Sequence, residues 1–289
     1  MSIQKSGKGR SVVVTGAATG LGFATAKMLK EQGWRVYGTY LEFQSSDELK
    51  NAGIIPVLCD ISDYKQADAA AKFVAENLKG KGLSALINVA GVAGVAAGLI
   101  EGVQPERVKL LFDTNITGTL NMCRSFLPLL RKFGPARIVN VSSSALRVPA
   151  VFTSIYSISK YAIEGITNSL RFELMPFGIQ CTSIEPGGMK TPMSANSQEA
   201  TKKNWDMMGQ EIHDIYYPKV GKSLEFIDKM IKTSSEPEAV AKKIIHALNV
   251  NKMKKRYLAG ATVEWMGPAE RILGENAFER LMAKMQKLI

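Results

Sequence analysis

The decapeptide YSISKYAIEG, Tyr156 to Gly165, sets a phenol and an ammonium four residues apart. On a helix, positions i and i+4 lie one above the other on one face. Tyr156 and Lys160 would then be held close without help from a flexible loop. A free tyrosine, with a pKa of ~10, exchanges protons poorly near neutrality. Moving that value to ~7 takes ~4 kcal/mol of preferential stabilisation of the phenolate, at ~1.36 kcal/mol per unit. A neighbouring ammonium acts in that direction. The pair reads as an acid–base couple. An amphipathic helix with one aromatic and one snorkelling lysine is the plain alternative.

The elements around that helix show what would position it. The β-branched run SVVVT (11–15) ends in a glycine-rich turn, and TGLGFATAKMLKEQG has helical periodicity up to Gly33. WRVYGTY (34–40), IIPVLCD (54–60), LSALINVAG (83–91), ARIVNVSSS (136–144), IQCTSIEPGG (179–188) and RYLAG (256–260) read as further strands. Between them lie the alanine-rich helix YKQADAAAKFVAENLKG and one long helix over 105–134, opened by Pro105 and closed by Gly134. Regular βα alternation with apolar strands implies a parallel sheet covered on both faces. The expected fold is α/β: a single-domain, Rossmann-like, doubly wound parallel sheet of about seven strands with helices on both faces. Its strand ends would converge on one cleft.

Composition narrows the class. The chain has 289 residues, 46% hydrophobic and 22% charged, which suits one domain of an ordinary globular protein. No run of 18 apolar residues appears, so no integral membrane span is expected. The opening MSIQKSGKGR reads as a basic lead-in without the apolar segment of a secretory signal. Three cysteines in apolar surroundings fit reduced core thiols, and a cytoplasmic location is expected. His213 and His246 lack any ligand pattern around them, so no metal is expected. The net charge of +11 is spread along the chain apart from NKMKKR (251–256), which has no interleaved aromatics. No nucleic-acid partner is expected; a basic surface that attracts anionic ligands suffices.

TGAATGLG (15–22) follows a strand and opens a helix, the context a dinucleotide loop requires. Gly16, Gly20 and Gly22 allow a tight turn and close approach of backbone to a pyrophosphate, which would rest on the helix N-terminus.

With these motifs in order, the first 195 or so residues resemble the short-chain dehydrogenase/reductase family. TGAATGLG, including Thr19 and Leu21, is similar to its cofactor loop. Asp60, followed by Ile61, matches its adenine-contacting aspartate. NVAG, with Asn88, Ala90 and Gly91, resembles its N-N-A-G, with Val89 in place of the second asparagine. YSISK is its Y-x-x-x-K, and PGGMKT, with Pro186, Gly187, Met189 and Thr191, its segment that packs on the nicotinamide. The resemblance implies an NAD(P)-dependent oxidoreductase that interconverts a secondary alcohol and a ketone by hydride transfer. Tyr156 would exchange the proton, and Lys160 would lower its pKa and hold the ribose hydroxyls. Ser143, flanked by Ser142 and Ser144, would orient the substrate oxygen. Asn115 would anchor a water relay to the lysine; TNITGT around it is a poor helix former, with Gly118 alone costing ~1 kcal/mol. The resemblance extends to the branch of steroid, retinol and hydroxybutyrate dehydrogenases. It also implies a homodimer or homotetramer paired through helices 105–134 and 156–177. A catalytically silent dinucleotide-binding protein on the same fold is the competing class.

The cofactor preference rests on the end of the second strand, where such folds hold the adenosine ribose. Tyr40 stands there, Glu42 is close enough to reach a ribose hydroxyl, and no Arg or Lys occupies the turn TYLEFQSS. NAD is favoured over NADP. Residues 193–235 form an insertion over the cleft, in which Trp205, Met208, Ile212 and Tyr216 recur at helical spacing. That face would either line an apolar substrate site or pack on the domain. Leu146, Val148 and Pro149 would add apolar wall, and Arg147 would either be solvated or meet an anionic substrate group. The extension 268–289 reads as an amphipathic helix that covers the substrate mouth, pairs subunits or rests on a membrane surface.

Overall fold

The computed structural model describes residues 7–226, 233–260 and 263–289. Residues 1–6 of the basic lead-in and 227–232 of the insertion lie outside the described residues. Seven strands form one parallel sheet in the order β3-β2-β1-β4-β5-β6-β7. They are β1 (Ser11–Val14), β2 (Arg35–Tyr40), β3 (Ile55–Leu58), β4 (Ala85–Asn88), β5 (Arg137–Val141), β6 (Gln180–Pro186) and β7 (Arg256–Ala259). The order reverses between β1 and β4, which opens a crevice at their C-terminal ends.

The sheet is buried on both faces, and the period-2 alternation of β1 shows how. Val12 and Val14 pack with Leu29 of α1 (Gly20–Glu31) and Ile244 of α9 (Pro237–Asn249). Val13 points the other way, toward Val74 of α3 (Tyr64–Leu78) and Phe126 of α5 (Gly118–Phe133). A short α2 (Asp47–Asn51) lies between β2 and β3. All three cysteines are free and buried.

The span expected as one helix is divided. α4 (Pro105–Phe112) widens into a π-helical turn at Asp113–Thr117 before α5 begins at Gly118. Side-chain hydroxyls take over part of the ladder there: Thr119 Oγ1 donates to the Asn115 carbonyl at 2.8 Å, and Thr114 Oγ1 to that of Leu110 at 3.0 Å.

α6 (Ser154–Glu173) carries Tyr156 and Lys160. After β6 come α7 (Pro192–Asp206) and α8 (Gln210–Val220); after β7 come α10 (Met266–Leu273) and α11 (Glu275–Met285). The expected single C-terminal helix is thus two, broken at Gly274. Trp205 and Met208 are buried against Leu99 and Phe152, with Ile212 and Tyr216 beside them. Their face packs on the domain. Among the described residues no helix is long and apolar enough to cross a membrane.

Candidate active site

A cleft of about 450 Å³ runs along the C-terminal ends of the strands. At one end it is walled by the loop after β1, with Gly16, Thr19, Gly20, Leu21 and Gly22. A Cβ on Gly22 would stand 2.1 Å from the Gly16 carbonyl oxygen, so the loop can turn this tightly into α1 only with glycine there. Two threonine hydroxyls hold the loop and its neighbour. Thr39 accepts from the Gly16 amide at 3.0 Å, and Thr15 accepts from the amides of Val89 and Ala90 at 2.9 and 3.0 Å.

Tyr40, Asp60 and Ile61 line the cleft where β2 and β3 end. Asp60 also accepts from the Ser62 amide at 2.9 Å and its hydroxyl at 2.7 Å, closing the turn. Ile61 packs on the start of α5: a Cβ on Gly118 would meet its side chain at 2.7 Å. Glu42 is exposed and does not line the cleft; Gln44 folds in instead, accepting from the Leu41 amide at 2.9 Å. Ala90, Gly91, Pro186, Gly187, Met189 and Thr191 complete the walls. Asn88 is not brought to the cleft. Its side chain lies within the sheet, donating to Asn140 at 2.8 Å and facing the Cys123 thiol, because strand alternation turns it away from the loop it precedes.

Ser143, Tyr156 and Lys160 meet at the other end of the cleft. Of the three consecutive serines only Ser143 presents its hydroxyl to Tyr156. Ser142 is turned inward and donates to the Lys160 carbonyl at 3.1 Å, and Ser144 is buried. Lys160 Nζ donates to the Val141 carbonyl at 3.0 Å and sits 5.4 Å from the centre of the Tyr156 ring.

The electrostatics differ from the expectation for a lysine-activated phenol. Burial raises the Tyr156 pKa above its ordinary value, opposed by the hydrogen bond with Ser143, and burial lowers Lys160 to about 8. Both shifts are desolvation of the charged form. The lysine spends a hydrogen bond on a backbone carbonyl, and burial is the dominant influence on both groups.

Asn115 is reached through hydrogen bonds rather than by lining the cleft. Its amide bridges the backbone of Val92, accepting from N–H at 2.8 Å and donating to the carbonyl at 2.9 Å. It also donates to Ser159 Oγ at 3.0 Å, which donates in turn to the Tyr156 carbonyl at 2.7 Å. Ser159 is thus the residue that sequence reasoning passed over. The signal for Ser159 was its place beside Lys160, on the helix face turned toward the π-helical segment.

A second cavity of about 220 Å³ adjoins the cleft at Ser143 and Tyr156. Val148, Phe152, Met189, Met193, Phe226 and Met266 supply apolar wall. Leu146 is buried and, like Pro149, lies outside this lining. Arg147 turns away from the cavity into a pair with Glu185 at 2.6 Å and with Glu270 of α10.

The glycine cradle, the threonine-pinned loops and the ring of strand-end residues fit a dinucleotide. Residues 10–202 match the short chain dehydrogenase family model. The chain is 34% identical over 262 residues to 17-beta-hydroxysteroid dehydrogenase type 6 of Rattus norvegicus, covering 86% of this chain and 80% of the relative. It is 30% identical over 269 residues to the mitochondrial D-beta-hydroxybutyrate dehydrogenase of the same organism, covering 86% and 76%. A short chain dehydrogenase of Burkholderia cenocepacia, solved in complex with NADP, superposes with a TM-score of 0.74 at 25% identity, covering 96% of this chain and 98% of that one. Fold, cleft and sequence agree: the chain belongs to the short-chain dehydrogenase family and is an NAD(P)-dependent oxidoreductase acting on CH–OH groups.

Proposed function

We propose that the enzyme interconverts a secondary alcohol and a ketone with NAD as its cofactor, and that Ser143, Tyr156 and Lys160 carry the reaction. The observation that carries this reading is the position of Ser143 and Tyr156, which line both the glycine-walled cleft and the adjoining apolar cavity. An oxygen at that junction is within reach of both hydroxyls. When bound, the dinucleotide supplies the hydride donor or acceptor and, when oxidised, a positive charge beside the phenol. Tyr156 passes a proton to or from the substrate oxygen, and Ser143 donates a hydrogen bond that orients it. Lys160, whose ammonium rests on the Val141 carbonyl, would hold the ribose hydroxyls when the dinucleotide is bound. Asn115 and Ser159 hold α6 against the loop after β4, which fixes the phenol relative to the cleft.

The preference for NAD is supported by the turn after β2, where Tyr40, Leu41 and Gln44 line the cleft and no Arg or Lys stands to meet a 2′-phosphate. The carbon skeleton of the substrate rests on Val148, Phe152 and Met266. Leu110, Leu120, Ile158 and Tyr161 are exposed on α4, α5 and α6, and we assign that surface to a homodimer or homotetramer. Parallel fluorescence titrations with NADH and NADPH test the cofactor reading. Tighter NADH binding supports it, and preference for NADPH overturns it. Turnover of a ketone panel with the bound cofactor then tests the reaction.

A further inference from the structure

The substrate cavity is bordered by an ion network, and among the described residues no cation stands on its wall. Arg147 follows Ala145 and precedes Val148, both on the cavity wall, yet its guanidinium points into the protein. Nε donates to Glu185 at 2.6 Å and Nη1 to Glu270. Glu185 is fully buried at the end of β6 and is approached at 3.6 Å by Arg256 of β7, which also bonds Glu164 of α6 at 2.8 Å. Burial works against the charge on Arg147, but Glu185 and Glu270 together raise its pKa overall. The guanidinium is committed.

This network fixes one wall of the cavity. Glu270 belongs to α10, whose Met266 lines the cavity, and Met266 packs in turn with Phe278 and Met282 of α11. Two cations face three carboxylates, so the network carries one excess negative charge beside the cavity. Among the described residues the cavity lining contains only hydroxyl and apolar side chains and glycine. A carboxylate entering there would lose its hydration, find no counter-charge on the wall among the described residues and meet that excess.

We propose that Arg147 determines specificity by being withheld: pinned between Glu185 and Glu270, it closes the cavity with α10 and restricts the enzyme to substrates whose non-reacting end is uncharged. This rests on the proposed function and selects within it, against hydroxy acids and their keto forms.

The test uses a matched pair, methyl 3-oxodecanoate and 3-oxodecanoate, bound to the NADH-loaded enzyme by calorimetry and then assayed for turnover. The ester is expected to bind about 100-fold more tightly than the acid, the discrimination expected for burying an unpaired charge. In Glu270→Gln, which removes the excess charge but keeps an amide oxygen to accept from Nη1 and hold α10, the acid should gain about 10-fold while the ester stays within about 2-fold. Equal or tighter binding of the acid to the wild type overturns the proposal, as does a Glu270→Gln variant that changes both ligands alike. Preferential binding of the ester without turnover of either ligand would leave the specificity proposal standing and count against the proposed reaction.

Discussion

Lys160 Nζ lies 5.4 Å from the centre of the Tyr156 ring while donating to the Val141 carbonyl at 3.0 Å. The ammonium is buried beside the phenol but directed past it, toward the floor of the cleft. This explains why burial governs both groups, raising one pKa and lowering the other. In the proposed reaction the ammonium would have to turn from that carbonyl to stabilise the phenolate.

The buried lysine makes stability depend on pH. Its pKa falls from 10.5 to about 8 on folding, so between those values the unfolded chain holds a proton that the native one has released. Native stability therefore rises with pH across that window, and below it the fold bears a cost on the order of 3 kcal/mol. Replacing Lys160 with Met removes this cost. The melting temperature of the variant relative to wild type should be highest near pH 7 and decline toward pH 10. A difference that does not change with pH would contradict the assignment.

Gly118 is required by the approach of Ile61 to the start of α5. In Gly118→Val the added side chain must displace Ile61, which lines the cleft. A stability loss of about 1–3 kcal/mol is expected from the overpacking, with dinucleotide affinity falling about 10-fold. Denaturant melts and NADH titration of the same preparation check both. Unchanged affinity would separate Ile61 from the cofactor site.

Ser159 joins the amide of Asn115 to the backbone of Tyr156. Removing the hydroxyl in Ser159→Ala should cost about 1 kcal/mol of stability. It should lower kcat about 10-fold through misplacement of the phenol, with NADH affinity within 2-fold by about the same measure. Ser159→Thr should recover part of kcat. Equal losses in kcat and cofactor binding would assign the serine a structural role only.

Trp205 packs edge-on to Phe152 at 5.0 Å between ring centres, and Phe152 lines the substrate cavity. Trp205→Ala should cost about 3–5 kcal/mol by analogy with other buried aromatic truncations. It should also raise KM for an apolar ketone, while NADH affinity is retained. Loss of NADH binding in a folded variant would argue against this division of the molecule.

Much of this arrangement was legible because it is local. The Tyr156–Lys160 pair follows from helical spacing, the glycine loop from its place between strand and helix, and the seven strands from apolar runs. The weak helix former around Asn115 signalled irregularity; the structure resolves it as a π-helical turn that leads into Gly118, against Ile61. What escaped depends on distant partners. Asn88 carried the right motif, but its strand turns its side chain toward Asn140. Arg147 looked available for an anionic substrate because Glu185 and Glu270 are 38 and 123 residues away. The face of Trp205 and Met208 could cover the cleft or the domain, and only the position of Phe152 decides it.

The central claim is that Tyr156 exchanges the proton in a hydride transfer. Its most direct test is Tyr156→Phe against wild type, with NADH titration and single-turnover reduction of an apolar ketone in the same cells. The variant should bind NADH within about 3-fold of wild type and turn over about 10³-fold more slowly, within the range of general acid–base contributions. Equal turnover by the two proteins would contradict the account.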